Sequence, residues 1–326
     1  MESITMNVIA PRSPWKYFGN ELHPNASIEE WARVSGMDFR IQASPVLYQA
    51  DGKILEVPER KILWHNRTGA WLGDVGCAFH VFQPQDILVF SRDVAKAAGF
   101  TLRSAGTMFE GRRMWALAAT GMHAHILDPQ DTVAAALLLS SACDGTMTTE
   151  GRYIIIVTNG NAALPLDGQS VKVPHRTVFR PEIVKAQLDV EGAKSQFDKT
   201  ISLFRTMAET KLSPRMVEKL TIKLFNARYE QQIKAVRWQI DTSKPVRSVI
   251  EMAVEGGGAG SWLAGRKKGG VTVWGWLTCV IEYVDHHTRA HNTSKASAED
   301  NRFDSAMFGR GAVLKAKAKE LATELC

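Results

Sequence analysis

The chain has 326 residues, of which 45% are hydrophobic and 23% are charged, so it can bury a core as one large domain or two small ones. No apolar run approaches the ~20 residues that span a bilayer, and the N-terminus lacks a basic and then apolar signal pattern. These features predict a cytoplasmic protein without membrane segments. The four cysteines form no C-x-x-C pair, which disfavours a zinc ribbon and a disulfide scaffold.

The formal net charge is +6, which permits binding to a polyanion without requiring it. The position of the charge is more informative. Residues 1–100 contain 10 Lys and Arg against 11 Asp and Glu, whereas residues 201–326 contain 20 against 13. The basic excess therefore belongs to the C-terminal part of the chain.

The first regular structure is predicted after an N-terminal arm and irregular segment, residues 1–69. Apolar residues and glycines indicate a strand within residues 71–82. Pro84 then opens a helix that Gly99 ends as a C-cap.

Short β-type runs follow the helix and predict two hairpins. The first hairpin turns at Glu110-Gly111 and the second at Asp144-Gly145. The predicted strands are residues 101–109, 113–120, 133–141, 152–158 and, after a polar loop, 171–179.

Helical patterns dominate the rest of the chain. Pro181 and Ser213-Pro214 each mark a helix start. Two further helices are predicted over residues 273–284 and 306–325. The predicted class is α+β: an antiparallel sheet of the β-β-β-α type packs against long helices, with a β-rich core in residues 70–210 and a helical, basic part in residues 211–326.

Several short segments together resemble one family, and their order and spacing are specific. The segments are Leu72-Gly73-Asp74-Val75, Ala105-Gly106, Gly111-Arg112-Arg113-Met114-Trp115, Asp144-Gly145, Val157-Thr158-Asn159, His175-Arg176, Thr272-Val273-Trp274-Gly275, Glu282-Tyr283-Val284-Asp285-His286, and Phe308-Gly309 with Lys315. The chain resembles the phage- and plasmid-borne proteins known as domain of unknown function nine-thirty-two over roughly residues 70–325. Cys143 stands where the family commonly has His, and Thr149-Glu150-Gly151-Arg152 also departs from its pattern.

The resemblance implies a mobile-element protein, and its order of strands and helix is similar to the core of single-strand annealing recombination proteins. By that analogy the chain binds single-stranded DNA as a ring or filament of identical subunits and promotes pairing of complementary strands. This activity needs no catalytic residue, no ATP and no cofactor, and a phage exonuclease is the expected partner. The absence of a G-x-x-x-x-G-K-[ST] loop agrees with independence from ATP.

The residues expected to contact DNA are cations with an aromatic side chain beside them. Each has a structural alternative, a solvated surface position for the cations and a core position for the tryptophan. The candidates are Arg112, Arg113 and Trp115 at the first hairpin, Lys172, His175, Arg176 and Arg180 on a β-like run, Arg215, Lys219 and Lys223 along one helix face, and Arg266, Lys267 and Lys268 in a glycine-flanked loop. Lys315, Lys317 and Lys319 are predicted to form a solvated helix surface.

Two other functions stay open from the sequence. Glu282 and His286 are spaced to face one divalent ion from a helix, and with Asp144 they would form the magnesium site of a metal-dependent nuclease. The other is a phage protein that binds a host factor and has no enzymatic activity.

Overall fold

The structure is a computed structural model of the chain. It describes residues 20–21, 23, 25–127, 131–157, 162–168, 170–173, 188–226, 244–255, 270–293 and 296–326. The architecture is α+β with antiparallel sheets, which confirms the fold class predicted from the sequence. No helix within these ranges is long and apolar enough to cross a membrane.

The strands are numbered in chain order over the described residues. They are β1 (Asn20–Glu21), β2 (Ile41–Ala50), β3 (Lys53–His65), β4 (Trp71–Gly76), β5 (Thr101–Met108), β6 (Arg113–His125), β7 (Thr132–Ala142), β8 (Thr149–Val157), β9 (Ala162–Pro165), β10 (Val171–Val173), β11 (Lys211–Leu212) and β12 (Val271–Thr272).

The helices are numbered in the same way. They are α1 (Ile28–Ser35), α2 (Pro84–Ala97), α3 (Val190–Glu209), α4 (Pro214–Asn226), α5 (Lys244–Ile250), α6 (Val273–Glu282), α7 (Ala298–Met307) and α8 (Arg310–Thr323). A short 3₁₀ turn covers Phe109–Gly111, and π-helical turns cover Glu251–Glu255 and Tyr283–His287.

The main sheet has the order β1-β5-β6-β7-β8, and β9 and β10 both pair with the far edge of β8. From β5 to β8 each strand is antiparallel to the next, so both predicted hairpins are confirmed. Ten of the eleven residues of β7 and six of the nine residues of β8 are buried. Continuous apolar runs suit such strands because other elements cover both faces of the sheet.

Two hydrophobic cores lie on the two faces of the main sheet. On one face Trp115, Leu138 and Ile154 pack against Phe303 and Met307 of α7. The larger core, on the other face, includes buried residues of α2, α3, α4 and α6. Its members come from all three predicted segments of the chain, so these segments fold against one another.

A second sheet has the order β2-β3-β4. β2 and β3 form a hairpin that closes at Asp51-Gly52, where both residues have positive φ, as a type I′ turn requires. Residues 28–65 therefore contain a helix and two long strands, although the sequence predicted an arm and irregular structure there. The strands lacked a clear apolar alternation because most of their side chains are exposed.

The predicted helix at Pro84 is confirmed. Pro84 is the first helical residue, and the side chains of Gln83 and Asp86 bond the backbone in a capping box. Gly99 follows the helix with a φ of 75°, a conformation that glycine adopts without a steric penalty. Local sequence signals thus placed both ends of α2 correctly.

The long helix after the sheet begins later than predicted. α3 starts at Val190, and the carboxylate of Asp189 caps it by accepting a hydrogen bond from the Gly192 backbone at 2.8 Å. Residues 181–187, where Pro181 suggested the start, lie outside the described residues. The next helix, α4, begins at Pro214 as predicted.

The predicted C-terminal helix is α8, which begins at Arg310 rather than near Ala306, because Gly309 separates it from α7, a helix that the sequence did not predict. Two lysines of α8 also differ from the prediction of a solvated surface. Lys315 is fully buried and Lys319 is 7% exposed. Each amine lies against a carboxylate, Asp285 for Lys315 and Asp167 for Lys319.

Candidate nucleic-acid interface

Three chain segments meet at one end of the main sheet. They are residues 71–75, 109–113 and 143–145, which we call the turn cluster. The Cys143 backbone N–H donates to the Arg112 carbonyl at 2.9 Å. A Cβ atom added to Gly73 would lie 2.8 Å from the Cα of Asp144, so β4 passes directly over the turn between β7 and β8. Segments far apart in the chain are thereby fixed in one surface.

The turn between β5 and β6 has an uncommon backbone geometry. Phe109 and Glu110 have φ values of 55° and 59°, in the left-handed region that costs most residues on the order of 1 kcal/mol each. Two contacts hold the turn in place. The Phe109 N–H donates to the Asp300 carboxylate at 3.0 Å, and the Phe39 ring occupies the space where Gly111 lacks a side chain. The direction in which the chain leaves the turn is therefore fixed.

Trp71 and Arg112 place a flat ring and a cation side by side at this surface. The Trp71 side chain is 46% exposed, and the Arg112 guanidinium lies 5.8 Å from its ring centroid. The guanidinium also lies 5.8 Å from the Phe109 ring, and its Nε donates to the Phe109 carbonyl at 3.0 Å. Such a pair can stack on a nucleobase and contact a phosphate.

Trp71 was missed as a candidate. In the sequence it is only the first residue of a predicted strand, and tryptophans on strands are mostly buried. Its exposure results from its position at the end of an edge strand. Gly69, which precedes it by two residues and has a φ of 69°, is a local signal of a turn there.

Trp115 does not present a face for base stacking, which corrects that prediction. It is 1% exposed and packs against Phe303 with ring centroids 5.3 Å apart. Its neighbour Arg113 forms an ion pair with Asp304. Burial raises the pKa of Asp304, and the Arg113 guanidinium opposes that rise. Arg113 thus has its charge compensated within the protein.

The predicted cations on β10 and α4 are exposed. Lys172 pairs with Glu150 in the strand register, at the end of β8 nearest the turn cluster. Arg215, Lys219 and Lys223 share one exposed face of α4 as predicted. The Lys223 amine lies 3.3 Å from the carboxylate of Glu324, so part of this charge is also compensated.

The other predicted DNA contacts lie outside the described residues. They are His175, Arg176, Arg180, Arg266, Lys267 and Lys268.

The predicted metal ligands do not come together as a set of three. Glu282 is 3% exposed, and its carboxylate lies 3.7 Å from the imidazole of His287. The prediction paired Glu282 with His286, four residues on, as a regular α-helix would. A π-helical turn follows Glu282 and shifts the neighbouring side chain by one residue, to His287.

Asp144 lies near the opposite end of β8 from these residues. The Asp285 carboxylate accepts a hydrogen bond from Ala163, which pairs with Ile156 near the end of β8. Asp144 lies in the turn that leads into Thr149, the first residue of β8. At about 3.3 Å per residue, this separation is on the order of 20 Å. Within the described ranges, no group of three metal-ligating side chains is found.

Cys143 stands where the family that the chain resembles commonly has His. Its side chain is part of the protein interior. It is 2% exposed, and its thiol donates to the Arg112 carbonyl at 3.4 Å. Burial raises the pKa of Cys143 to about 12. A thiol with this pKa stays protonated near neutral pH and is a poor nucleophile.

The close approach of β4 to the turn between β7 and β8 leads to a stability prediction. Gly73→Ala is expected to lower the free energy of unfolding by roughly 1–3 kcal/mol, because the added methyl group meets the backbone of Asp144. Gly76→Ala in the same strand is the control, because the nearest atom to its added Cβ is 3.9 Å away. Urea unfolding of both variants measures the difference. An equal decrease in the free energy of unfolding for the two variants would show that Gly73 does not pack closely against Asp144.

Comparison with models of protein families matches residues 71–307 to a family described as Domain of unknown function (DUF932). The match begins at Trp71 and contains the whole turn cluster. Searches among curated proteins and among solved structures found no match.

Proposed function

The chain belongs to the DUF932 family, and on that premise we propose that it binds single-stranded DNA at the turn cluster and promotes the annealing of complementary strands without ATP. The protein acts for a phage or plasmid in the cytoplasm of a bacterial cell, as an oligomer and without a cofactor. A phage exonuclease that produces single strands is the fitting partner.

The observation that carries the proposal is the pairing of Trp71 with Arg112. Tryptophan side chains are highly buried on average, but Trp71 is 46% exposed and lies beside a guanidinium. The ring offers a stacking surface that accepts any base, and the guanidinium supplies a donor for the backbone phosphate. This combination suits binding that does not depend on DNA sequence.

The same geometry accounts for annealing. A base that stacks on Trp71 presents its face to the protein, so its Watson–Crick edge stays accessible to a complementary strand. Arg112 fixes the adjacent phosphate and reduces repulsion between the two strands. The proposed activity involves no proton transfer and no bond cleavage.

Beyond the turn cluster, the bound DNA strand is expected to pass the cations that are not paired with a carboxylate. Lys172 lies at the same end of the sheet, whereas Arg113 and Arg60 are paired with Asp304 and Asp74. The described residues of this region therefore supply few uncompensated charges. We expect a moderate salt dependence, with stacking as a substantial part of the affinity.

The test is a salt titration of binding, measured by fluorescence anisotropy of a labelled oligothymidine. The logarithm of affinity is expected to fall linearly with the logarithm of salt concentration, with a slope of about −0.7 per phosphate contact. Arg112→Ala should weaken binding and make the slope shallower by about 0.7. Arg33→Ala, an exposed arginine on α1, is the control and should leave both unchanged.

Two results would contradict the proposal. No binding of single-stranded DNA at low salt would contradict it directly. Binding with an unchanged slope in Arg112→Ala would place the DNA elsewhere on the chain.

A further inference from the structure

The outer part of the β2–β3 hairpin, residues 46–57, extends beyond the rest of its sheet. β4 pairs with β3 only from Arg60 to Trp64, so among the described strands none pairs with the outer part beside β2 and β3. We call residues 46–57 the ribbon. A two-stranded ribbon is only marginally stable without further packing.

The ribbon carries a cluster of exposed apolar side chains. Leu47, Tyr48, Ile54 and Leu55 are 58%, 48%, 72% and 40% exposed. Tyr48 lies directly opposite Leu55, and the next pair on the same face is Val46 with Val57, so this face is apolar. Leu47 and Ile54 lie on the other face of the ribbon, opposite Glu56 and Gln49. The other exposed large apolar residues of the described chain lie singly, on different elements. They are Trp71, Leu127, Met216, Val254 and Val313.

The free edge of β2 is suited to strand pairing. Among the described strands β2 pairs only with β3, which leaves its other edge open. β2 contains no charged residue. Edge strands are ordinarily protected by charges or proline, and here only Pro45 does so, at the inner end of the ribbon.

The net charge of the ribbon indicates which class of molecule it binds. Its three charged residues are Asp51, Lys53 and Glu56, which sum to −1, so a nucleic acid or an anionic membrane would not be attracted. The uncharged edge strand is compatible with a copy of itself, because no like charges would face each other. Since the described part of the chain has no second apolar cluster, a contact between two copies must use the ribbon on both sides, which is a twofold contact.

We propose that the ribbon binds the ribbon of a second copy of this chain. Residues 46–50 pair antiparallel with the same residues of the second copy, about a twofold axis that passes near Tyr48. This register is set by the ends of the free edge, the register shift after Pro45 and the turn at Asp51. The pairing extends the sheet across both copies and places the two Tyr48 side chains next to each other on the apolar face. The inference does not rest on DNA binding.

The first test is the sedimentation of the full chain without DNA over a range of concentrations. The ribbon is narrow compared with a standard interface of ~800 Å² per partner, so a dimer that dissociates on dilution is expected. Tyr48→Glu places two carboxylates against each other at the axis and is expected to give a monomer at every concentration. Val313→Glu is the matched control, because Val313 is 70% exposed and isolated on α8, and it should dimerise like the parent.

The second test fixes the register by a disulfide. In a background with Cys77→Ser and Cys326→Ser, which removes the exposed thiols, Tyr48→Cys is expected to form a covalent dimer on mild oxidation. Facing residues of antiparallel strands have Cα atoms about 4.5–5.5 Å apart, within the range of a disulfide. Val313→Cys in the same background should stay monomeric on a non-reducing gel.

Three outcomes would overturn the proposal. They are a parent chain that is monomeric throughout, a dimer that survives Tyr48→Glu, and a Tyr48→Cys variant that cross-links no faster than Val313→Cys. Circular dichroism is the control for folding of each variant. Because the ribbon residues are exposed, their replacement is expected to leave the hydrophobic core intact. DNA binding by Tyr48→Glu is measured separately, so failure here leaves the DNA-binding proposal intact.

Discussion

Lys315→Ala is expected to lower the free energy of unfolding by about 3–5 kcal/mol. Lys315 is fully buried, and its amine donates to the Asp285 carboxylate and to the Ala163 carbonyl, both at 2.6 Å. The other oxygen of Asp285 accepts from the Ala163 N–H at 2.8 Å. Removal of the amine leaves a carboxylate buried without a counter-charge, which is the costly case for a buried ion pair.

This ion pair also explains how the C-terminal helices attach to the sheet. Asp285 lies in the π-helical turn after α6, Lys315 lies on α8, and Ala163 belongs to β9. Burial lowers the pKa of Lys315, and the nearby Asp285 opposes that change. One residue from each of three elements thus takes part in a single buried polar contact.

Two further variants make the stability prediction specific. Lys317→Ala, on the same helix, should change the free energy of unfolding by less than about 0.5 kcal/mol. The double variant Lys315→Met with Asp285→Asn removes both charges and keeps an acceptor for the Ala163 N–H, so it should recover much of the loss. Urea unfolding measures all three. If Lys315→Ala lowers the free energy of unfolding by less than about 1 kcal/mol, the ion pair is accessible to water.

Trp71→Ala is expected to raise the Kd for single-stranded DNA by roughly 5- to 150-fold. This range corresponds to about 1–3 kcal/mol for the loss of one stacked base. Trp71→Phe keeps a ring and should retain most of the affinity. The stability of the chain should change little, because almost half of the Trp71 side chain is exposed.

Leu127→Ala is the control for the loss of an exposed apolar side chain. Leu127 is 48% exposed, close to the 46% of Trp71, but it has no described guanidinium over it. Its replacement should leave the Kd unchanged in the same anisotropy titration. If Trp71→Ala and Leu127→Ala bind DNA equally well, the Trp71 ring does not stack on a base.

The parts of the fold that the sequence predicted are those with strong local signals. The strands from β5 to β8 have apolar, β-branched runs separated by Glu110-Gly111 and Asp144-Gly145, and α2 has a proline at its start and a glycine after its end. β2 and β3 were not predicted because they form an exposed sheet, in which side chains on both faces meet water. Local patterns carry little information about such strands.

The candidate site was predicted only in part, for a related reason. Arg112 was identified from its position after a turn, but the sequence assigned the stacking ring to Trp115, three residues further on. Strand alternation places Trp115 on the face covered by α7, whereas Trp71 reaches Arg112 from another sheet. The burial of Lys315 has a similar origin, because its partner Asp285 lies on a different helix and alternating lysines are typical of a solvated surface.

The central claim is that the turn cluster binds single strands and promotes their pairing. The most direct measurement is the rate of duplex formation between complementary fluorescent oligonucleotides, without ATP, with and without magnesium, and with the products examined on a denaturing gel. The account predicts faster duplex formation with intact strands, and loss of that acceleration in Trp71→Ala with Arg112→Ala. No acceleration by the parent chain, or magnesium-dependent shortening of the strands, would contradict it.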